Sequence, residues 1–240
     1  MKKITGIVLA IVILGASCMM DGHRVKGNGN LTTQSKSISD INGVELHTSF
    51  DVILSEGSPS NVKITAEENI IPYIDLQEEN GVLNIRTKDN TWLRTHKGVK
   101  IYVTAPSFSR VANTGSGDIT AETRISNDSR ITINSTGSGN VKLDVDAPEV
   151  EASISGSGDV KLSGETKQFH GKCTGSGDIR AMDLRAEEAN VRSSGSGDID
   201  VFSSVKVTSS ISGSGDIRYK GGAQVVSSSK SGSGDLRKVD

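Results

Sequence analysis

The chain has 240 residues, of which 34% are hydrophobic and 3% aromatic, and its formal net charge at pH 7 is −2. This hydrophobic fraction is enough for a folded core, which must be built mainly from aliphatic and small side chains. The mild acidity and the scattered Lys and Arg residues argue against nucleic-acid binding, and two cysteines are too few for a disulfide framework.

Residues 1–17 have the pattern of an export signal. Two lysines precede an apolar run, 4–14, that is too short to cross a bilayer, which takes about 20 residues. The sequence Leu-Gly-Ala-Ser-Cys at 14–18 resembles the lipobox of bacterial lipoproteins, although its aliphatic residue stands four rather than three positions before the cysteine. We therefore predict a lipoprotein signal peptide and lipidation of Cys18, with an ordinary secretory signal as the alternative.

Residues 18–37 are predicted to form a flexible tether, because they are polar, glycine-containing and free of long apolar runs. No Asp follows Cys18 directly, so the expected destination is the outer membrane, with the domain facing the periplasm or the cell surface. The membrane is then a partner through the lipid anchor.

Residues 38–110 are rich in strand-like segments but show no fixed period. Runs of β-branched residues alternate with turn sequences, and Asn80-Gly81 is a hairpin signal. We expect this region to form an irregular N-terminal β cap and the first coils, since an open solenoid end exposes strand edges. The large side chains of Ile70, Tyr73 and Trp92 suit such a cap.

Residues 111–240 contain a phrase, Gly-Ser-Gly-Asp followed by an aliphatic residue, that occurs seven times at intervals of 18 to 22 residues. The second copy has Asn in place of Asp. The glycines and acid positions are Gly115, Gly117 and Asp118; Gly137, Gly139 and Asn140; Gly156, Gly158 and Asp159; Gly175, Gly177 and Asp178; Gly195, Gly197 and Asp198; Gly213, Gly215 and Asp216; and Gly232, Gly234 and Asp235.

Each phrase is predicted to be a corner between two short strands, because apolar residues two positions apart flank it on both sides. Glycine enters positive-φ conformations cheaply, and Asp or Asn can accept bonds from nearby backbone N–H groups in a turn. The period suits one rung of a parallel β-solenoid, whereas a propeller blade needs about 40 residues. We therefore predict an all-β, right-handed parallel β-helix with about 19–20 residues per rung.

Stacking of the corners would bring the acids into one file at about one strand spacing, which is unfavourable for bare carboxylates. Two positions after the acid, five of the seven copies carry a base on the same outward face, which could offset that repulsion. These bases are Lys142, Lys161, Arg180, Arg218 and Arg237.

The strand Phe50-Asp51-Val52, the segment 99–106 that leads into the first corner at 113–119, and the serial corners resemble the family called putative auto-transporter adhesin, head GIN domain. The resemblance covers about residues 38–237. It implies a right-handed parallel β-helix, a lipoprotein signal and a role in adhesion.

Three alternatives for chemistry remain open. Calcium could bind the acid file, since the glycine- and aspartate-containing phrase is similar to the repeats of calcium-binding solenoids, although bases stand beside most of the acids. β-Helices also host glycan-binding and polysaccharide-cleaving sites, but the four histidines are scattered. Cys173 falls in an inward column, so a buried small residue is a simpler reading than a nucleophile.

The sequence thus predicts a non-enzymatic cell-envelope lipoprotein, an adhesin or binding scaffold that uses an extended β-helix surface. It predicts no catalytic residues, no cofactor and no metal. The ligand is expected to be a protein or a glycan, with a calcium- or glycan-binding module as the alternative and a polysaccharide-cleaving enzyme as the less favoured one.

Overall fold

The computed structural model describes residues 22–240, so the predicted signal peptide and Cys18 lie outside the described residues. The described chain is a β-solenoid of about seven turns, as the repeat predicted. Its helical content is one short 3-10 helix, Ile71–Tyr73. Within residues 22–240, no helix has the length and apolar character needed to cross a membrane.

The first nine strands lie before the regular repeat: β1 (His23–Lys26), β2 (Leu31–Ser37), β3 (Gly43–Leu46), β4 (Asp51–Glu56), β5 (Asn61–Glu67), β6 (Ile74–Glu79), β7 (Val82–Thr87), β8 (Thr91–Arg94) and β9 (Lys100–Ala105). The others are β10 (Arg110–Asn113), β11 (Ile119–Ala121), β12 (Ile125–Ser126), β13 (Arg130–Ser135), β14 (Val141–Ile154), β15 (Val160–Cys173), β16 (Ile179–Ser193), β17 (Ile199–Ile211), β18 (Ile217–Lys220), β19 (Gln224–Lys230) and β20 (Leu236–Lys238).

The coils stack in parallel and in register, with one stack of strands before the glycine corners and one after them. The long strands β14 to β17 contribute to both stacks, because each bends near its middle. The first aliphatic residue after each corner pairs with its counterpart in the next coil: Val141, Val160, Ile179, Ile199, Ile217 and Leu236 follow one another in a single file. All but Leu236 are buried, so this file is one wall of a slim aliphatic core.

The order of the first coils in space differs from their order in sequence. β3 pairs in parallel with β7 on one side and β10 on the other, and β4 lies in the same way between β9 and β11. The chain therefore builds its second coil first, adds the outermost coil with β7 and β9, and then passes over the second coil to start the repeat.

The outermost coil is covered by antiparallel strands. β6 pairs with β7, and β5 pairs with β9, so that the outer edges of that coil are hydrogen-bonded. The predicted hairpin at Asn80-Gly81 is confirmed, with φ of 52° and 77° at the two residues. Both values require a left-handed turn, which Asn and Gly adopt most readily.

The predicted flexible tether, 18–37, is wrong for the part that the structure describes from residue 23 onward. β1 pairs with β8, and β2 pairs antiparallel with β5 along its whole length. The side chains of β2 are exposed or half-buried, because this strand is held by backbone hydrogen bonds at a sheet edge and needs no apolar face. The polar composition of β2 is therefore the same as that expected of a flexible linker.

Glu67 connects the cap to the loop after β8. Its side chain is buried, and its carboxylate accepts hydrogen bonds from the backbone N–H of His96 at 2.9 Å and of Gly29 at 2.7 Å. These bonds, led by the one from His96, hold the pKa of Glu67 below its ordinary value of 4.5. The charged carboxylate is thus the form that stabilises the cap.

The lowered pKa of Glu67 predicts an acid-dependent loss of stability. A group whose folded pKa is depressed contributes stability above its unfolded pKa, and the contribution disappears as the pH falls through the folded value. We expect the melting temperature of the wild type to fall more steeply below pH 4.5 than that of Glu67→Gln. Thermal melts followed by circular dichroism across this range would measure both slopes, with the exposed Glu68→Gln as control. Parallel slopes for wild type and Glu67→Gln would contradict the assignment.

The last coil is thinly packed. Every residue of β19 is exposed, and Lys230 stands in register with the buried Ile211 of the preceding coil. The Lys230 ammonium turns outward to the Asp235 carboxylate. Polar residues thus replace core residues at this end.

Candidate functional site

The glycine corners are held by backbone contacts between successive coils. The carbonyl of Gly156 accepts hydrogen bonds from Ser176 N at 3.0 Å and Gly177 N at 3.3 Å of the next corner, and the same pattern recurs along the solenoid. A Cβ atom at Gly175 would lie 2.0 Å from Gly156 O, and one at Gly177 would lie 2.1 Å from Gly158 O. Both glycines are required because the preceding backbone occupies the space of a side chain.

This reason differs from the predicted one. Within residues 22–240, no corner glycine has a positive φ. The described glycines that do are Gly29, Gly81, Gly98, Gly164 and Gly221.

The acids form a ladder of hydrogen bonds from one coil to the next, rather than bonds within their own turn. Each side-chain Oδ1 accepts the backbone N–H of the acid position in the following corner, at distances of 2.8 to 3.1 Å. The ladder runs through Asp118, Asn140, Asp159, Asp178, Asp198, Asp216 and Asp235.

Backbone direction explains why a side chain is needed there. The carbonyl of Asp178 points to the preceding coil, where it accepts Val160 N at 2.9 Å. It is therefore turned away from Asp198 N, which faces Asp178 from the following coil. The Asp178 carboxylate accepts this N–H at 2.9 Å instead. Asn140 serves equally well because its amide oxygen accepts Asp159 N at 3.1 Å.

The arginines of the predicted basic file contact the acid ladder, whereas its lysines, Lys142 and Lys161, form no ion pair within residues 22–240. Arg180 Nη2 lies 2.9 Å from Asp159 Oδ2 and 3.2 Å from Asp178 Oδ2, so one guanidinium bridges two coils. Arg218 contacts Asp198 and Asp200, and Arg237 contacts Asp216 and Asp235.

This arrangement does not favour the calcium alternative. The carboxylates accept backbone N–H groups through one oxygen, and several are paired with arginine through the other. Among the residues that the structure describes, no three His, Cys, Asp or Glu side chains are grouped as a metal ion would need. The ladder is therefore a structural feature of the corners.

Cys173 lies in the inward column, where it is buried. Its Sγ is 3.2 Å from the carbonyl oxygen of Gly177, to which the thiol can donate. Asn113 and Ser193 donate in the same way to the carbonyls of Gly117 and Gly197. Burial raises the pKa of the Cys173 thiol. It is held in its protonated form, which is the wrong form for a nucleophile.

An open groove of about 550 Å³ lies at the second bend of the coils, where β14 to β17 turn between the two stacks. In three of its four coils, three consecutive residues form it, the middle one buried and its neighbours exposed, and the fourth coil contributes two residues. Its lining includes Asp146, Ala147 and Pro148; Glu165, Thr166 and Lys167; Arg185, Ala186 and Glu187; and Phe202 and Ser204. We call this the bend groove.

Register places unlike side chains side by side in the bend groove. Asp146, Glu165, Arg185 and Phe202 are successive partners on four neighbouring coils. The Arg185 guanidinium lies over the Phe202 ring, 5.7 Å from its centroid. The groove thus presents two carboxylates, a cation and an aromatic face in one row at about 4.8 Å intervals.

The floor of the bend groove is fixed by buried hydroxyl groups. Thr166 Oγ1 donates to the carbonyl of Pro148 at 3.2 Å or of Gln168 at 3.0 Å. The Ser203 hydroxyl donates to the carbonyl of Glu187 in the preceding coil at 2.8 Å or of Lys206 in its own coil at 2.9 Å. One wall has a step, because residues 182–184 of β16 have no partners in β17. The coil that contains β16 is therefore longer beside the groove than the coil that contains β17.

Sequence reasoning missed the bend groove. The glycine corners carry a repeated phrase, whereas the second bend carries none, and its coils differ in length. One signal was available in the acid pair Glu187-Glu188. Two consecutive acids between buried alanines break the alternation of a strand and mark the bend, where Glu187 lines the groove and Glu188 pairs with Lys206 at 3.6 Å.

Stacked corners, a ladder of acids and an open polar groove define a β-solenoid protein with a groove along its surface. The sequence profile of the family described as putative auto-transporter adhesin, head GIN domain, matches residues 40–223, and the chain belongs to this family. The resemblance noted from the corners is thereby confirmed. No functionally curated protein matches this chain.

Several solved structures are similar to this chain. A putative adhesin from Bacteroides fragilis is 25% identical with a TM-score of 0.85, and a putative lipid binding protein from Parabacteroides distasonis is 27% identical with a TM-score of 0.74. The alignments cover 90% of this chain and 100% of each of theirs. A putative adhesin from Parabacteroides merdae, 23% identical with a TM-score of 0.68 over 91% of this chain and 100% of its own, shares the fold.

Proposed function

We propose that this protein is a non-enzymatic adhesin of the cell envelope, anchored at the outer membrane through Cys18, which binds an extended polar ligand in the bend groove. A glycan has the chemistry that fits this groove. The family and the solved adhesins support the adhesive role. The lipobox-like sequence supports the anchor.

The observation that carries this proposal is the row of Asp146, Glu165, Arg185 and Phe202 on four coils. A sugar ring has hydroxyl groups at its edge and C–H bonds on its faces. Carboxylates and a guanidinium can bond the hydroxyl groups, and the half-buried Phe202 can stack on a face. Because the row extends over four coils along the solenoid, it suits a chain of sugars better than a compact ligand.

Rigid placement favours recognition at low entropic cost. The groove side chains project from strands whose backbone is hydrogen-bonded on both sides, and its floor is tied by Thr166 and Ser203. Little ordering is therefore needed when a ligand binds. The open shape would let a long glycan enter from the side.

We expect the double variant Arg185→Ala/Phe202→Ala to bind envelope polysaccharides about tenfold more weakly than the wild type, equivalent to about 1.4 kcal/mol. The loss follows from removal of the aromatic face and of the cation above it. A glycan array followed by titration calorimetry on the best ligand would measure the change.

The matched control is Lys63→Ala/Tyr102→Ala, which removes a similar cation over an aromatic ring, 4.2 Å from its centroid, outside the groove. Its affinity should equal that of the wild type. Equal losses in both double variants, or no glycan binding by the wild type, would refute the groove as a glycan site.

Polysaccharide cleavage is the competing function, because Asp146, Glu165 and Glu187 gather in the groove. A general acid at neutral pH needs a carboxyl shielded from water, and these three are exposed. Shortened glycan products after incubation with the wild type, and none after incubation with Glu165→Gln, would establish the enzyme instead of the adhesin.

A further inference from the structure

The small sheet formed by β1 and β8 has a face made of one aromatic and three cationic side chains. Arg24 pairs with Trp92 in register, and Lys26 pairs with Arg94. Register partners on parallel strands point to the same side, and so do residues two apart. The opposite side carries the buried Val25, so Arg24, Lys26, Trp92 and Arg94 form one outward surface, which we call the Trp92 surface.

The Trp92 surface is unfavourable for a protein that meets only water. Trp92 is 61% exposed, and it is the single tryptophan of the chain. Lys26 and Arg94 are like charges directly opposite each other, which is a destabilising pair. A partner that is anionic and accepts an aromatic ring would relieve both costs.

Within residues 22–240, the three cations of this surface, Arg24, Lys26 and Arg94, form no ion pairs. The nearby acid Glu67 is buried and accepts backbone N–H groups of Gly29 and His96. Their charge is therefore available to a partner.

The chain enters the described fold at this surface. Gly22, the first described residue, packs against the indole of Trp92, and a Cβ there would lie 2.4 Å from the indole nitrogen. The 21 residues before it include the apolar run 4–14 and the lipobox-like Cys18. A membrane held through those residues would lie only a few residues along the chain from Trp92.

We propose that the Trp92 surface docks onto an anionic phospholipid bilayer. Tryptophan rings favour the level of the lipid headgroups, and Lys or Arg side chains near an anionic leaflet are attracted to its phosphates. The three cations would contact headgroups while Trp92 enters the interface. Docking would hold the cap against the membrane and leave the bend groove, which lies on later coils, to bind its ligand.

The tryptophan fluorescence of the protein reports on this surface directly, because Trp92 is the single tryptophan of the chain. The full chain is incorporated into vesicles of phosphatidylcholine with or without phosphatidylglycerol, some of the lipids carrying bromine on the acyl chain. We expect a blue-shifted emission and strong quenching by brominated lipid in the anionic vesicles, both reversed by salt. The variant Arg24→Gln/Lys26→Gln/Arg94→Gln should shift the equilibrium between docked and undocked protein by roughly 100-fold toward the undocked state.

The charge-matched control is Lys142→Gln/Lys161→Gln/Lys220→Gln, which removes three exposed lysines from later coils and should quench like the wild type. Equal loss of quenching in both triple variants would overturn the proposal, because general charge and not this surface would then drive docking. Emission that ignores anionic lipid but responds to a soluble anionic polysaccharide would also overturn it. Neither result depends on the bend groove, so the glycan proposal is tested separately.

Discussion

Replacing Gly177 by alanine is expected to destabilise the solenoid by about 3 kcal/mol or more. The added Cβ would lie 2.1 Å from Gly158 O, and that atom belongs to backbone that cannot rotate away. The two coils must therefore separate, and separation weakens the neighbouring Ser176 N and Gly177 N bonds to Gly156 O. Urea unfolding followed by circular dichroism would measure the change, and the melting temperature should drop by roughly 10 °C.

Gly222→Ala is the matched control for this substitution. Gly222 is exposed and has no positive φ, and the nearest atom to an added Cβ is Ser204 O at 3.4 Å. Its effect should stay within about 0.5 kcal/mol. If Gly177→Ala proved equally mild, the close approach of successive corners would not be the reason for glycine there.

The second large effect is expected for Asp178→Ala, which should cost about 1–3 kcal/mol. Loss of the carboxylate leaves Asp198 N without its acceptor and removes one of the two acids that contact Arg180. Asp178→Asn keeps an acceptor oxygen, as the natural Asn140 does in the second corner, and should cost about 1 kcal/mol or less. Chemical unfolding of both variants would separate the two contributions.

A third variant, Asp183→Ala, removes an exposed acid from the same coil outside the ladder and should leave stability unchanged. Equal costs for the Ala and Asn variants at residue 178 would contradict the ladder. The ion pair with Arg180 would then be what the acid supplies.

The stacked corners could be predicted because one phrase marks each of them at a nearly constant interval. The reason for the glycines could not, since the clash lies between residues of different coils. The corner at His47 to Phe50 lacks the glycine phrase. It shows that glycine is needed only where the backbone of a neighbouring corner lies close. The coil beneath it runs through the long segment 88–99 instead of a tight corner, so side chains are tolerated there.

The pairing of the cap strands and the position of the bend groove could not be predicted from the sequence. Strand β2 is held by backbone bonds that any polar sequence can form, and it was predicted as linker. The row from Asp146 to Phe202 joins four coils whose second bends share no motif. Trp92 was placed in the cap by its size, but its exposure depends on how β1 and β8 pair.

The acid ladder has a sense of direction, since from Asp118 to Asp216 every Oδ1 receives its proton donor from the coil that follows. Each coil therefore offers the same junction to its successor as its predecessor offered to it. Duplication or deletion of one whole period of about 19 residues would therefore preserve the hydrogen-bonding pattern at the corners. The length of the solenoid can thus change by about 4.8 Å per copied unit while the cap and the last coil stay the same.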